Sequence, residues 1–141
     1  MILLGSLSVN NLKAVLHKVA RELEAEVQWK ADRAELTVEF SDGRKQRIHI
    51  ERRSGRYLLT SVVLGRARVE EIGSTHLLPL LWQRNRETNV VAFDIDQRGR
   101  LIGRVEQVAE TLDAEELAIY TKWLARQCDR LEYILSGLDI E

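Results

Sequence analysis

The sequence predicts an α+β protein built on a five-stranded antiparallel sheet, and three observations lead there. Three segments repeat apolar residues every three to four positions, and five repeat them every second position. Their order along the chain is α-β-β-β-α-β-β-α. Short Gly-containing connections then join successive strands, which makes those neighbours antiparallel.

The first helix is expected over Ser8 to Glu26. Ser8 or Asn10 can accept the free N–H groups of its first turn. Leu12, Val15, Leu16, Val19 and Leu23 make one apolar stripe, while Lys13, Lys18, Arg21, Glu22 and Glu24 face water. Val27 to Asp32 stays open between a helix end packed by Trp29 and the start of an irregular strand.

Three strands follow. Leu36, Val38 and Phe40 alternate with polar neighbours in the first. Ser41-Asp42-Gly43-Arg44 then turns the chain, because Gly43 accepts a positive φ without steric cost. Ile48 and Ile50 alternate with Arg47, His49 and Glu51 in the second. Arg53-Ser54-Gly55-Arg56 turns into a third, Tyr57 to Leu64, whose nearly continuous apolar character suits a central or two-sided strand.

Arg66 to Thr75 reads as a link ending in a Gly73-Ser74-Thr75 cap. In the second helix Leu77, Leu78, Leu81 and Trp82 supply the expected buried face, and Pro79 falls in the first turn, where an N–H is dispensable. Val90 to Asp96, a Gln97-Arg98-Gly99-Arg100 turn and the run Leu101, Gly103, Val105 form a final hairpin. The last helix is capped by Asp113, with Glu116 three residues on. Leu117, Tyr120, Leu124, Cys128, Leu131, Leu135 and Leu138 give it a stripe spaced 3-4-4-3-4-3, and Gly137 suits its end.

Composition limits the functional classes. With 45% hydrophobic and 30% charged residues, the chain suits one soluble domain over residues 1–141. A single cysteine, Cys128, excludes an internal disulfide framework and sits in a core stripe. The apolar run Met1 to Leu4 is too short for a signal peptide or a membrane span, so a cytoplasmic location and no membrane partner are expected. Net charge is −1, yet Asp42 to Arg68 carries eight Lys/Arg against two acids, and Val105 to Glu141 three against nine.

No catalytic, metal or cofactor pattern emerges, and the expectation is a non-enzyme without a cofactor. His17, His49 and His76 lie on different elements with no second ligand at i+4. Asp94-Ile95-Asp96-Gln97-Arg98-Gly99 begins like a calcium loop, but Arg98 and Val105 stand where oxygen ligands are needed. The basic stretch of Arg44, Lys45, Arg47, Arg52, Arg53, Arg56, Arg66 and Arg68 raises nucleic-acid binding as the alternative function. The leading five elements are also in the order of a double-stranded RNA-binding domain. That family needs a lysine-rich start to its second helix, where this chain reads Gly73-Ser74-Thr75-His76-Leu77-Leu78-Pro79. Solvated turns and charge-guarded edge strands account better for the cations.

The full element order resembles the type III secretion chaperone-like fold. The run Leu80-Leu81-Trp82-Gln83-Arg84-Asn85-Arg86, then Val91-Ala92-Phe93-Asp94-Ile95-Asp96-Gln97-Arg98-Gly99-Arg100-Leu101, the Leu112-Asp113-Ala114-Glu115-Glu116-Leu117 cap and Cys128-Asp129-Arg130-Leu131-Glu132-Tyr133-Ile134-Leu135 resemble the YbjN-like family. Those proteins are proposed bacterial sensory transduction regulators. The likeness covers roughly Leu77 to Leu138, and Cys128-Asp129 stands where the family has alanine–aspartate. It implies a homodimer that binds protein segments as a regulatory module, with secretion-chaperone activity as one form of it. Trp82 and Trp123 are the candidate interaction anchors, and Arg52, Arg53 and Arg56 the candidates for the nucleic-acid alternative.

Overall fold

The computed structural model describes residues 9–30, 33–88 and 90–137. Ser8, Leu138 and the side chains of Asn10 and Leu12 lie outside the description, so the first cap and two stripe positions expected there are not placed. The elements are α1 (Val9–Leu23), β1 (Glu26–Lys30), β2 (Arg33–Glu39), β3 (Lys45–Arg53), β4 (Arg56–Leu64), α2 (Arg66–Ile72), α3 (Ser74–Glu87), β5 (Ala92–Ile95), β6 (Leu101–Val108) and α4 (Ala114–Ser136). All strands join one antiparallel sheet in the order β1-β2-β3-β4-β6-β5.

The sheet has six strands, not the expected five, and the ambiguous stretch around Trp29 supplies the extra one. Glu24 ends α1 by taking a φ of 52°, and the Ala25 N–H closes back onto the Ala20 carbonyl at 2.9 Å. That is a helix-ending geometry usually built on glycine, so no residue announced it. β1 then pairs with β2 from Glu26↔Thr37 to Lys30↔Arg33. As a terminal strand it half-buries only Val27 and Trp29, which is a weak alternation signal.

A second difference is α2, which forms within the expected link. Gly73, at φ 84°, separates it from α3 and is itself the N-terminal cap residue, so Ser74 and Thr75 lie inside the helix. Pro79 therefore falls beyond the first turn, at the sixth position, and the bond to the Thr75 carbonyl is lost near the helix start.

One sheet face carries the core. Leu36 of β2, Ile48 and Ile50 of β3, Leu59 of β4 and Leu101 of β6 are fully buried against Leu117, Leu124, Cys128, Leu131 and Leu135 of α4, beside which α1 adds Leu16 and Val19. Asp113 caps α4 as expected, its Oδ1 accepting the Glu116 N–H at 2.8 Å. Gly103 sits directly beneath that helix. A β-carbon there would lie 2.5 Å from the Cys128 Sγ, so this glycine supplies space rather than an unusual φ.

The β3–β4 ladder runs only from Arg53↔Arg56 to His49↔Thr60. Beyond it, side chains take over the pairing. Gln46 Nε2 donates to the Ser61 Oγ and to the Val62 carbonyl, at 2.8 and 2.9 Å, while the Ser61 Oγ donates to the Arg47 carbonyl at 2.7 Å. Both side chains are buried, and they satisfy backbone acceptors that a regular ladder would otherwise bond.

Candidate interaction surfaces

The helix α3 presents two apolar faces. Leu77 and Leu81 are buried as expected, but Leu78 and Trp82 are 55% and 63% exposed, which corrects the expectation of a single buried face. The reason is geometric: Leu77-Leu78 and Leu81-Trp82 are adjacent pairs, and neighbours on a helix diverge by about 100°. The Arg86 guanidinium lies over the Trp82 ring at 4.7 Å, leaving an amphipathic surface in solvent.

Trp123 projects from α4, 46% exposed, edge-on to Tyr120 at 6.0 Å between ring centres. With Glu87, Thr88, Val90, Val91 and Gln127 it lines a cavity of about 240 Å³. A side-chain joint lies close by in the chain. Asn85 accepts the Phe93 N–H at 2.7 Å and donates to the Phe93 carbonyl at 3.0 Å, fastening the end of α3 to β5. The asparagine of the family-like motif thus has a physical task here.

The three arginine candidates do not form one surface. Arg53 and Arg56 are register partners on the face away from α1 and α4. Arg53 pairs with Glu51 at 3.0 Å, and Arg56 reaches Glu106 at 3.9 Å. Arg52, one residue along the strand, points to the other face and stacks on Tyr57 at 5.9 Å. Elsewhere in the basic stretch, Arg44 engages Asp129 of α4 at 3.0 Å and lies over Tyr133 at 5.0 Å, while Arg68 donates to the Leu135 carbonyl. Part of the sequence's charge polarity is therefore consumed internally, basic turn against acidic helix. Burial, with the neighbouring Asp129, raises the Glu132 pKa there against the pull of Arg44.

The sheet face away from α1 and α4 is open and polar. On it Glu35 of β2, 9% exposed, gathers the His49 Nδ1 at 3.6 Å, Lys30 at 3.7 Å and Arg47 at 3.8 Å. Burial holds the His49 imidazole below its ordinary pKa, Glu35 pulls it upward, and Lys30, Arg33 and Arg100 add to the lowering. Beside this cluster a groove of about 630 Å³ runs over β4. Leu58, Val62 and Ile102 are half-buried in its floor, and the β5–β6 turn forms one wall.

That turn is held by Asp96. Its Oδ1 accepts the N–H groups of Arg98 and Arg100, both at 2.9 Å, and its Oδ2 pairs with the Arg100 guanidinium at 2.8 Å. Burial works against the carboxylate, but the Arg100 and Arg98 hydrogen bonds outweigh it and keep its pKa below the usual range. Asp94 stays exposed on β5. Among the described residues no group of three His, Cys, Asp or Glu side chains is placed to hold a metal ion, and no helix is long and apolar enough to cross a membrane.

No protein-family model matches the chain, and no characterised protein matches it by sequence. Solved structures do match. A chain of the ExsC–ExsE complex superposes with a TM-score of 0.66 at 15% identity, over 91% of this chain and 96% of that one. The fold is type III secretion chaperone-like. The Yersinia pestis type III secretion chaperone SycH, solved with a stable fragment of YscM2, gives 0.57 at 11% identity, covering 84% of this chain and 97% of its own. YbjN from E. coli, a proposed transcription regulator, gives 0.53 at 16% identity with 87% of each chain covered. The family likeness read from the C-terminal half is thus matched by the fold of nearly the whole chain.

Sequence reasoning named Trp82 and Trp123, which the structure leaves exposed, but did not single out the Glu35 cluster or the groove. Both are made by cross-strand register: Glu35 lies opposite His49, and Val62 opposite Ile102. In sequence these positions read only as the solvent side of separate strands.

Proposed function

We propose that this chain is a non-catalytic, protein-binding module of chaperone-like fold that works in the cytoplasm as a homodimer, with the Leu78–Trp82 face of α3 and Trp123 of α4 as contact surfaces. One observation carries the reading. α3 buries its inner pair of leucines and leaves a tryptophan and a leucine, one turn apart, in solvent. Large aromatics in such positions supply most of the binding energy at protein interfaces. The reading is supported by SycH, which shares the fold and holds a fragment of another protein.

Light scattering at micromolar concentration tests it. The expected mass is twice the 16.2 kDa of one chain, and Trp82→Ala is expected to halve it. Thermal stability of the single chain should change by no more than about 0.5 kcal/mol, since the ring is exposed. A monomeric mass for the unaltered chain would overturn the homodimer. Affinity capture from the native host, unaltered chain against Trp123→Ala, then identifies the bound segment.

A further inference from the structure

We propose that the outer face of α4 rests on a membrane surface carrying anionic lipids, its cations on the headgroups and its exposed aromatic and aliphatic side chains among them. This goes beyond the protein-binding reading and does not depend on it.

Spacing is the first argument. A helix turns about 100° per residue, so positions seven apart return to nearly the same side. Leu117, Leu124 and Leu131 recur in that way toward the sheet and are buried. On the opposite side Ile119, Arg126 and Tyr133 recur at the same spacing, as do Trp123 and Arg130, with Ile134 beside them. The outward side of a packed helix is ordinarily polar. Here Ile119, Trp123, Tyr133 and Ile134 are all exposed on it, along about 22 Å of helix.

Charge is the second argument. The acid-rich stretch from Val105 onward has only three basic residues, Lys122, Arg126 and Arg130, and all three are exposed on the outward side of α4. They follow one another at i+4, the spacing at which like charges repel. None has a carboxylate partner among the described residues, and Asp129, the nearest acid in sequence, is drawn inward to Arg44. Elsewhere the chain fills that spacing with an opposite charge, as in Arg66 and Glu70 at 2.9 Å. Glu115 and Glu116 stay in the first turn, before the basic row begins. The row therefore carries a repulsion that an anionic surface removes.

The occupant follows from the mixture. Tryptophan and tyrosine rings interspersed with Lys and Arg suit the headgroup level of a bilayer, which accommodates an apolar body and a charged tip together. The back of a helix is convex, and a lipid surface conforms to it without a cleft. A nucleic acid would meet the cations but leave Ile119 and Ile134 in water. Among the described residues no helix is long and apolar enough to cross a bilayer, and contact at the surface requires none.

The test is cosedimentation of the full chain with vesicles of phosphatidylcholine alone, or of phosphatidylcholine and phosphatidylglycerol in equal parts, at low and high salt. Binding is expected to the mixed vesicles only, and to fall at high salt. The pair Arg126→Glu and Arg130→Glu should weaken it by about tenfold or more, and the pair Ile119→Ser and Ile134→Ser by about fivefold or more. These side chains are exposed, so both variants should keep the native circular dichroism spectrum. Arg98→Glu, an exposed charge in the β5–β6 turn, should leave binding unchanged. No binding to the mixed vesicles, an equal loss with Arg98→Glu, or undiminished binding of the isoleucine variant would each overturn the proposal. So would release from the vesicles by micromolar oligouridine or by a micromolar acidic helical peptide, which would assign the face to a nucleic acid or to a partner helix.

Discussion

Replacing Gly103 with alanine tests how α4 is seated on the sheet. The added methyl carbon would stand 2.5 Å from the Cys128 Sγ, 3.1 Å from a Leu124 methyl and 3.2 Å from the Phe93 ring. Ordinary contacts between carbons lie at about 3.5–4.0 Å, so the helix or the strand must shift. Overpacking of this kind costs about 1–3 kcal/mol, and alanine returns about 0.5–1 kcal/mol of backbone entropy relative to glycine. The net loss should be about 1–2 kcal/mol. At about 2.1 cal/mol/K of unfolding entropy per residue, a 141-residue chain should then melt about 3–7 °C lower. The decisive measurement is a double-mutant cycle by urea unfolding followed by circular dichroism. Cys128→Ala alone should cost about 1 kcal/mol for the lost sulfur contacts. Combined with Gly103→Ala it should restore most of the loss, because the new methyl enters the space the sulfur leaves. A coupling of about 1–2 kcal/mol is expected, and effects that add within about 0.5 kcal/mol would refute the packing argument.

Four further outcomes are expected. Asn85→Ala leaves the outer N–H and carbonyl of Phe93 without their side-chain partner and should cost about 1–2 kcal/mol, read as a lower urea midpoint at unchanged slope. His49 has its folded pKa below the unfolded one, so its contribution is full above the unfolded value of about 6.5 and is lost as pH falls through that value toward the folded one. His49→Gln should therefore flatten the decline in melting temperature between about pH 7 and 5, and an unchanged decline would discard this account. Burial pushes the Cys128 thiol up to about 12, so an aromatic disulfide reagent at pH 8 should label it only after denaturation. Arg44 and Asp129, 3.0 Å apart with Asp129 mostly buried, should show a coupling of about 1 kcal/mol in an Arg44→Ala, Asp129→Asn cycle, shrinking in 1 M salt.

Where one residue type fixes one geometry, the fold was legible in the sequence. Asp113 capping α4, Gly43 and Gly99 in their turns and the alternation of β2 and β3 all match. It was illegible where geometry came from an unexpected residue or from partners distant in the chain. Glu24 ends α1 in a conformation that glycine usually marks, which hid β1 behind it. Leu78 and Trp82 fit a helical stripe as well as Leu77 and Leu81 do, and the packing of α3 against α2 and β5 decides which pair is covered. The arginines looked like a patch because residues adjacent in sequence were counted together, although alternate strand positions face opposite ways.

The fastening of α3 to β5 also bears on how copies can assemble. On the outer side of β5 the Phe93 N–H is taken by Asn85 and the Ile95 N–H by the Asp94 side chain. A newcomer strand arriving there finds no donor to meet it. β1 ends the sheet on the other side, and its charged ends, Glu26 and Lys30, discourage indiscriminate pairing. Association through sheet rims could therefore join two β1 strands across a two-fold axis and then stop, because the pair would present only closed rims. Open-ended fibre growth needs two receptive rims, and this sheet has at most one.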